Sequence, residues 1–290
     1  MQFCSLSMGF IAWSLAIVAF LTLLWTFSDA GKCLIKWVLF ITISIGVATL
    51  PIPIMLLRPR DPKNALIPAA ALRACSTFLG LTLSVEGVEN IVQNTGCVVL
   101  INHQSMLDLI VLACLWPIMD NCTVISKKEV FYVQPFGLAS WLWGTIFIER
   151  GSKNALDAVN KTGEIIRQRK ARVLMFPEGT RNLGKNKLLP LKKGAFHLAL
   201  ASKVPIQPVA VCRYKFLKNL RFESGTLKIK ILPIIPTEGC TKDDIPKLME
   251  DTYRVLSENV DALSDSGVKE NGYSNGTEKN GHFKTVQISN

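Results

Sequence analysis

Long apolar segments dominate the start of the chain. Residues 8–27 and 37–57 contain twenty and twenty-one consecutive residues without a charged side chain. Each is long enough to cross the roughly 30 Å hydrocarbon core of a bilayer as a helix. A short polar turn at residues 28–32 lies between them, followed by residues 33–36. The pattern therefore predicts an N-terminal hydrophobic helical hairpin over residues 1–60.

Two alternatives concern these apolar segments. A cleaved signal peptide usually begins with basic residues, and none precedes the first segment. Pro51 and Pro53 allow a second alternative, in which the second segment breaks and re-enters the membrane instead of crossing it, but the paired spans are the favoured prediction. Arg58, Arg60 and Lys63 follow the second segment, and by the positive-inside bias they predict that the rest of the chain faces the cytosol.

The pattern changes over residues 61–256, where short apolar runs alternate with amphipathic stretches. This alternation predicts an α/β domain, a sheet flanked by helices. The strand candidates are residues 97–101, 173–176, 206–211 and 227–232. Helices are predicted over residues 106–116, after a cap at Ser152, and over residues 193–202. Residues 257–290 are rich in Ser, Asn, Gly and charge, which predicts a disordered polar tail.

Residues 130–148 form another run of nineteen positions without a charge. By length alone this run fits a third membrane span. Pro135, Gly137 and Gly144 interrupt it and favour a broken segment, buried or apposed to the membrane, that ends in a strand.

Composition and charge narrow the class of protein. A hydrophobic content of 49% and a mean hydropathy of +0.29 are high for a soluble domain and indicate membrane association. The net charge of +11 favours nucleic acid, an anionic lipid surface or a phosphorylated substrate as partner. The eight cysteines follow no metal-ligand or disulfide spacing, so no metal site is predicted.

Candidate chemistry begins at "NHQSMLD", residues 102–108, where polar side chains interrupt an apolar run. The predicted strand and helix place His103 in the turn between them and Asp108 in the first helical turn. There the carboxylate can hold one imidazole nitrogen and leave the other free to accept a proton. Ser105 and Asp108 also have the spacing of a capping box, in which Asp108 would only bind a backbone amide.

Two further polar segments lie at the ends of apolar runs, "FIERG" at residues 147–151 and "FPEGTRN" at residues 176–182. In the second, Gly179 permits a tight turn or the close approach of a ligand. Thr180 offers a hydroxyl, and Arg181 offers a planar fork suited to phosphate. The commoner role of such residues is a solvated turn or a charged strand terminus.

"NHQSMLD", "FIERG", "FPEGTRN" and "VPIQPV", in this order and with these gaps, resemble the four sequence blocks of the glycerolipid acyltransferases. The 1-acylglycerol-3-phosphate acyltransferases are the most similar members, and the resemblance covers roughly residues 60–256. It implies a glycerolipid acyltransferase-type fold and the transfer of an acyl group from acyl-CoA to the sn-2 hydroxyl of lysophosphatidic acid. Phosphatidic acid and CoA would be the products, acyl-CoA would be a co-substrate, and no cofactor or metal would take part.

The resemblance also implies roles for individual residues. His103 would be the general base, and Asp108 would orient it. The residues implied for the acceptor phosphate are Arg150, Glu178, Gly179, Thr180 and Arg181, with Lys192 and Lys193 as weaker candidates. The implied partners are lysophosphatidic acid, acyl-CoA and membrane lipids, not nucleic acid. The implied location is the endoplasmic reticulum membrane, crossed more than once, with the catalytic domain in the cytosol.

The chain departs from the family pattern in the segment "NLGKNK", which is slightly long between Arg181 and Leu188, and at two single positions. Glu149 stands where an Asp or Asn is frequent, and Leu191 replaces a usual Phe. These departures bear on acceptor and acyl-chain preference more than on the chemistry. Two alternatives stay open: an acyltransferase for glycerol-3-phosphate or another lysophospholipid, and a non-catalytic membrane hairpin protein that retains the fold.

Overall fold

A computed structural model describes residues 2–149, 155–182 and 187–265 of the chain. The helices are α1 Gln2–Phe27, α2 Asp29–Thr49, α3 Ile52–Met55, α4 Leu66–Ser76, α5 Asp108–Leu115, α6 Phe136–Leu142, α7 Ala155–Arg169, α8 Gly194–Ser202 and α9 Ile245–Asp265. The strands are β1 Leu81–Glu86, β2 Cys97–Ile101, β3 Cys122–Lys127, β4 Ile146–Ile148, β5 Arg172–Met175, β6 Ile206–Val211, β7 Leu217–Lys218, β8 Arg221–Phe222 and β9 Gly225–Ile231.

Seven strands form one sheet in the order β1-β9-β6-β2-β5-β3-β4, and β7 pairs with β8 in a separate hairpin. Strands β6, β2, β5, β3 and β4 are parallel, whereas β9 runs antiparallel to β6. The carboxyl ends of β6, β2 and β5 therefore lie side by side at one edge of the sheet. The predicted α/β class is confirmed.

The central strand β2 explains why the sheet has two hydrophobic layers. Val99 and Ile101 pack into the cluster that includes α4 and α5, while Val98 and Leu100 pack into the cluster that includes α8 and α9. All five β2 residues are buried, as expected for a parallel strand covered on both faces. This strand and β6 begin and end where their apolar runs predict, and β5 and β9 are displaced by one or two residues.

Helix α2, which lies within the predicted hairpin of residues 1–60, packs against the α/β domain. The helix begins at Asp29, because the hydroxyl of Ser28 accepts the backbone amide of Gly31 at 3.0 Å and caps it. The predicted polar turn at residues 28–32 is therefore wrong beyond Ser28. One face of α2 lies against α4, α6 and β8, and its buried residues are Gly31, Cys33, Lys36, Phe40, Ser44 and Ala48.

Helix α1 contrasts with α2. The segments Phe10–Phe27 and Asp29–Met55 are both long and apolar enough to cross a membrane, but 0% of the first and 28% of the second is buried. The two helices approach closely at their junction, where a Cβ on Gly31 would lie 2.7 Å from the carbonyl oxygen of Leu24. The two apolar N-terminal helices predicted from the sequence are confirmed.

The uncharged segment at residues 130–148 is broken, as its Pro and Gly residues predict. It consists of the end of a 3₁₀ turn at Lys128–Tyr132, helix α6 and strand β4. Helix α6 lies against α2 and α3, and Ala139 and Leu142 are fully buried. The alternative of a third membrane span is wrong, because no continuous helix runs through this segment.

The predicted end of the domain at residue 256 is also wrong. Helix α9 continues to Asp265, because Leu256, Val260 and Leu263 pack against Ala210 of β6 and its surroundings. These apolar side chains are spaced for one helix face, and the polar residues between them face solvent. Residues 266–290, predicted to be a disordered tail, and the predicted cap at Ser152 lie outside the described residues.

Candidate active site

Three loops meet at the carboxyl ends of β2, β5 and β6. Residues 102–107 follow β2, residues 176–182 follow β5, and residues 212–216 follow β6. In parallel sheets of α/β proteins, ligands bind outside the carboxyl ends of the strands. The sheet order therefore places the first and third polar blocks of the sequence beside each other at a suitable position for a site.

Two side-chain amides attach the turn after β2 to the loop after β6. The Asn102 amide donates to the Val211 carbonyl at 3.0 Å, and the Val211 N–H donates to the Asn102 side-chain oxygen at 2.8 Å. The Gln104 amide donates to the Cys212 carbonyl at 2.8 Å and accepts the Tyr214 N–H at 3.2 Å. These bonds satisfy backbone groups that the diverging strands would leave unpaired, and they fix the turn.

His103 and Asp108 form the pair that the sequence predicts. The Nδ1 atom of His103 lies 2.6 Å from Oδ2 of Asp108, which also accepts the backbone amides of Gln104 at 2.7 Å and Ser105 at 3.1 Å. A carboxylate only accepts, so Nδ1–H is the donor and Nε2 keeps its lone pair. Nε2 has no hydrogen-bond partner among the described residues. Asp108 thus both caps the turn and orients the imidazole.

Tyr214 is a fourth donor to this carboxylate, and sequence reasoning missed it. Its hydroxyl donates to Oδ1 of Asp108, and its side chain is buried. Burial, the negative charge of Asp108 and the hydrogen bond to it raise the pKa of Tyr214 well above its usual range. The hydroxyl therefore keeps its proton and acts as a donor. The only sequence signal for this role is that Tyr214 closely follows a predicted strand.

The loop after β5 fixes the plane of the imidazole. The ring of Phe176 stacks on the ring of His103, with centroids 4.1 Å apart and planes inclined by 22°. The backbone amide of Asn182 donates to the His103 carbonyl at 2.8 Å. The histidine is thus held at its ring and at its backbone by one loop, which leaves 22% of the side chain exposed.

Glu178 has a position that the sequence did not predict. It was expected to contact the substrate, but it is 2% exposed and both carboxylate oxygens are occupied. Oε1 accepts the His103 amide at 2.8 Å, and Oε2 accepts the Leu189 amide at 2.9 Å. Burial raises the pKa of Glu178, and the two amide hydrogen bonds oppose that rise. The geometry makes Glu178 a residue that positions the backbone of His103.

The change Glu178→Gln tests this role. The Gln amide nitrogen would face one of the two backbone amides, so we expect a loss of about 1–3 kcal/mol in the free energy of unfolding. Urea unfolding of the protein in detergent measures this. The matched control is Glu250→Gln on the exposed face of α9, expected within about 0.5 kcal/mol of the parent protein. Equal stability of the two variants would contradict the role of Glu178 in holding the backbone amides of both His103 and Leu189.

The remaining phosphate candidates divide into two groups. Gly179 has a φ of +70°, and its missing Cβ leaves room for Lys192, whose Nζ would lie 2.9 Å from that Cβ. Thr180 and Arg181 are exposed in the same turn. Lys193 lies apart from them, at a cavity of about 240 Å³ that His197 and Lys242 also line. Arg150 lies outside the described residues.

Comparison with known proteins first gives the class. Residues 82–212, from β1 to the loop after β6, match the Acyltransferase family model, and this range includes His103 and Asp108. The crystal structure of the 1-acyl-sn-glycerophosphate (LPA) acyltransferase PlsC from Thermotoga maritima has a similar fold. Its TM-score is 0.58 at 21% identity, covering 84% of this chain and 100% of that one.

Sequence relatives then give the family. The 1-acyl-sn-glycerol-3-phosphate acyltransferase alpha of Homo sapiens is 35% identical over 255 residues, 82% of this chain and 87% of that protein. The beta protein of Homo sapiens is 34% identical, over 83% of this chain and 88% of its own length. The Saccharomyces cerevisiae 1-acyl-sn-glycerol-3-phosphate acyltransferase is 39% identical over 66% of this chain and 62% of its own. The chain belongs to the 1-acyl-sn-glycerol-3-phosphate acyltransferase family and is an acyltransferase.

Proposed function

We propose that the protein transfers an acyl group from acyl-CoA to the sn-2 hydroxyl of lysophosphatidic acid and releases phosphatidic acid and CoA. The observation that carries this proposal is His103, whose Nδ1 is held by Asp108 while Nε2 has no hydrogen-bond partner among the described residues. The loop that carries Arg181 contacts the backbone of His103 through the amide of Asn182. The names of the family relatives favour lysophosphatidic acid as the acceptor.

In the proposed mechanism, Nε2 of His103 takes the proton of the acceptor hydroxyl as its oxygen attacks the thioester carbonyl. Asp108 stabilises the imidazolium that forms. The tetrahedral intermediate then collapses, the C–S bond breaks, and the imidazolium returns its proton to the CoA sulfur. No acyl-enzyme forms. A positioned base accelerates the reaction by about 10²–10⁴. The remaining acceleration must come from holding the acceptor hydroxyl and the thioester of the two substrates next to each other.

The acceptor phosphate is proposed to lie at the turn formed by Gly179, Thr180 and Arg181. Positive φ at Gly179 keeps this turn tight, and the aliphatic chain of Lys192 crosses it. A fork-shaped guanidinium and an ammonium suit a doubly charged phosphate in a partly dry site. Arg150 and Lys193 stay as further proposed contacts that rest on the resemblance.

A panel of acceptors tests the proposed function. Membranes containing the protein are supplied with acyl-CoA and either lysophosphatidic acid, glycerol-3-phosphate or a lysophospholipid with a larger headgroup, and products are measured by mass spectrometry. We expect phosphatidic acid to form fastest, from lysophosphatidic acid. A preference for another acceptor would overturn the substrate assignment, and no product from any acceptor would favour the non-catalytic alternative.

Arg181→Gln tests the phosphate site. Loss of a charge-assisted hydrogen bond of about 1.5–3 kcal/mol would raise the KM for lysophosphatidic acid by about 10- to 100-fold and leave the KM for acyl-CoA unchanged. The matched control is Arg169→Gln at the end of α7, beside the opposite edge of the sheet. An unchanged KM for the acceptor would remove Arg181 from the site.

We also propose that α1 and α2 anchor the protein to the endoplasmic reticulum membrane, with the domain on the cytosolic side. The support is the apolar, exposed surface of α1 and the apolar outer face of α2, where Leu34, Val38 and Ile45 are exposed. Because α2 packs along the domain, the domain would lie directly against the membrane.

Paired spans predict that tags at both ends of the chain are digested by protease in sealed microsomes. Protection of either tag would contradict the paired spans. A re-entrant second segment would place the two tags on opposite sides.

A further inference from the structure

The turn that carries His103 lies between two loops with basic residues. The loop after β5 provides Arg181 on one side, and the loop after β6 provides Arg213 and Lys215 on the other. The proposed reaction joins two amphiphiles that both carry phosphate. If the acceptor phosphate occupies the β5 side, the donor phosphates need cations elsewhere, and the β6 side is the adjacent position.

A cavity of about 570 Å³ opens on the β6 side. Its inner end is lined by Asn102, Gln104 and Ser105 and by Glu178 and Asn182 of the loop after β5, and it extends to the β7–β8 hairpin and the first turns of α2. Most of its lining surface is apolar, and Leu34, Trp37 and Leu217 contribute to it. The cavity therefore connects the residues on either side of His103 in the turn, Asn102 and Gln104, with the exposed hairpin.

Four cations line the same cavity, and we name them the cationic rim: Arg213, Lys215, Lys218 and Arg221. Lys215, Lys218 and Arg221 are exposed and thus lie at the opening of the cavity, whereas Arg213 is half-buried. Such spread charges suit a ligand with several separate phosphate groups more than a single compact phosphate.

Three of the four cations of the rim form ion pairs with exposed aspartates. The three pairs are Arg213 with Asp261, Lys215 with Asp265 and Arg221 with Asp29. The three carboxylates are between 54% and 82% exposed, and ion pairs with such exposed partners contribute little to stability. A phosphate can therefore replace them. Lys218 has no ion pair among the described residues.

We propose that the cationic rim binds the phosphate groups of the CoA part of the acyl donor. The apolar cavity behind the rim would admit the pantetheine arm and bring the thioester towards His103. This inference rests on the proposed function, because it assigns the second substrate to the same site. It separates the two substrates physically: the acceptor phosphate lies on the β5 side of the histidine and the donor phosphates lie on the β6 side.

Charge reversal at Lys218 tests the proposal. Lys218→Glu leaves every described ion pair of the rim intact, so the fold is retained. We expect the KM for acyl-CoA to rise about tenfold, with kcat and the KM for lysophosphatidic acid within about twofold of the parent protein. The matched control is Lys203→Glu, an exposed lysine at the amino end of β6, where the same charge change leaves both KM values unchanged.

A shortened donor identifies the group that the rim binds. An acyl-pantetheine thioester lacks the nucleotide phosphates, so Lys218→Glu should not change its KM. Free CoA binding to the purified protein, measured by calorimetry in detergent, should weaken in the variant by the same factor as the KM for acyl-CoA. Lys218→Gln should give a smaller change in the same direction.

The outcomes separate the two proposals. Three results for Lys218→Glu would overturn the assignment of the rim. These are a rise in the KM for lysophosphatidic acid, an equal rise in the KM for acyl-CoA and for the acyl-pantetheine thioester, and an unchanged affinity for free CoA. Failure of the parent protein to acylate lysophosphatidic acid would instead overturn the proposed function, and CoA binding would still report on the rim.

Discussion

His103→Ala is expected to reduce kcat for acyl transfer by about 10²–10⁴, the contribution of a positioned general base. The variant retains the loop hydrogen bonds of the turn, because the backbone of residue 103 and not its side chain binds Glu178 and Asn182. Only the stack on Phe176 and the bond to Asp108 are lost. Expression and membrane binding should therefore stay normal.

The measurement for this variant is the initial rate of phosphatidic acid formation at saturating acyl-CoA and lysophosphatidic acid. His197→Ala is the matched control, because it removes an imidazole from α8, where His197 has no hydrogen bond from its ring in the described structure. We expect the control to keep nearly full activity. Unchanged turnover in His103→Ala would exclude the histidine as the base.

Asp108→Asn is expected to have an effect of similar size, a loss of about 10²–10⁴ in kcat. Four donors converge on this carboxylate, from the ring of His103, the amides of Gln104 and Ser105, and the hydroxyl of Tyr214. An Asn side chain has one oxygen, so its nitrogen would face some of these donors. The imidazole would then lose the bond that keeps the proton on Nδ1 and the lone pair on Nε2.

Tyr214→Phe tests, in the same kinetic assay, how far Asp108 orients the imidazole of His103 in addition to binding the amides of the turn. It removes one donor to Asp108 but leaves the capping amides and the imidazole bond in place. We expect a loss of about tenfold in kcat, since one buried hydrogen bond to a charged group is worth about 1.5–3 kcal/mol at most. If Asp108 only holds the amides of the turn before α5, then Asp108→Asn would lower stability while the kcat of the folded fraction stayed normal.

The contact between His103 and Asp108 was predictable because its geometry is local. His103 and Asp108 are five residues apart, and the end of β2 and the start of α5 fix their separation. The uninterrupted apolar run of β2 gives its bounds directly, as is typical of a parallel strand that is buried on both faces. β6 kept its predicted bounds although it contains one polar residue, Gln207, which is buried with hydrogen bonds to the backbone of Val92 and Leu232. The strand pattern was therefore sufficient to place both residues at the edge of a sheet.

Long-range contacts were not predictable in the same way. Tyr214 binds Asp108 across 106 residues of chain, and that contact exists only because β6 lies next to β2 in the sheet. A local pattern does not specify strand order. The hydrogen bonds of Glu178 to the backbone amides of His103 and Leu189 were not predictable for the same reason, because these residues lie 75 and 11 positions away along the chain.

Helix ends were a second source of error. Helix α2 starts directly after Ser28 because the Ser28 hydroxyl caps it. The polar residues that follow Ser28 were interpreted as a turn, although they form the first turn of the helix. The end of α9 depended on Val260 and Leu263, two apolar residues inside a segment whose average composition is polar. In both cases one or two side chains determined where the helix begins or ends, although the segment around them has a polar composition.

The packing of α2 has a consequence for how the anchor and the enzyme are related. Phe40 on its inner face is 1% exposed and belongs to the same hydrophobic cluster as the central strand, and Leu34 and Trp37 form part of the cavity wall. A chain shortened to begin at residue 61 would open that cavity and uncover the cluster. The helix proposed to anchor the enzyme is thus also a wall of the cavity proposed to bind the acyl donor, so a substitution on its inner face would alter the shape of that cavity.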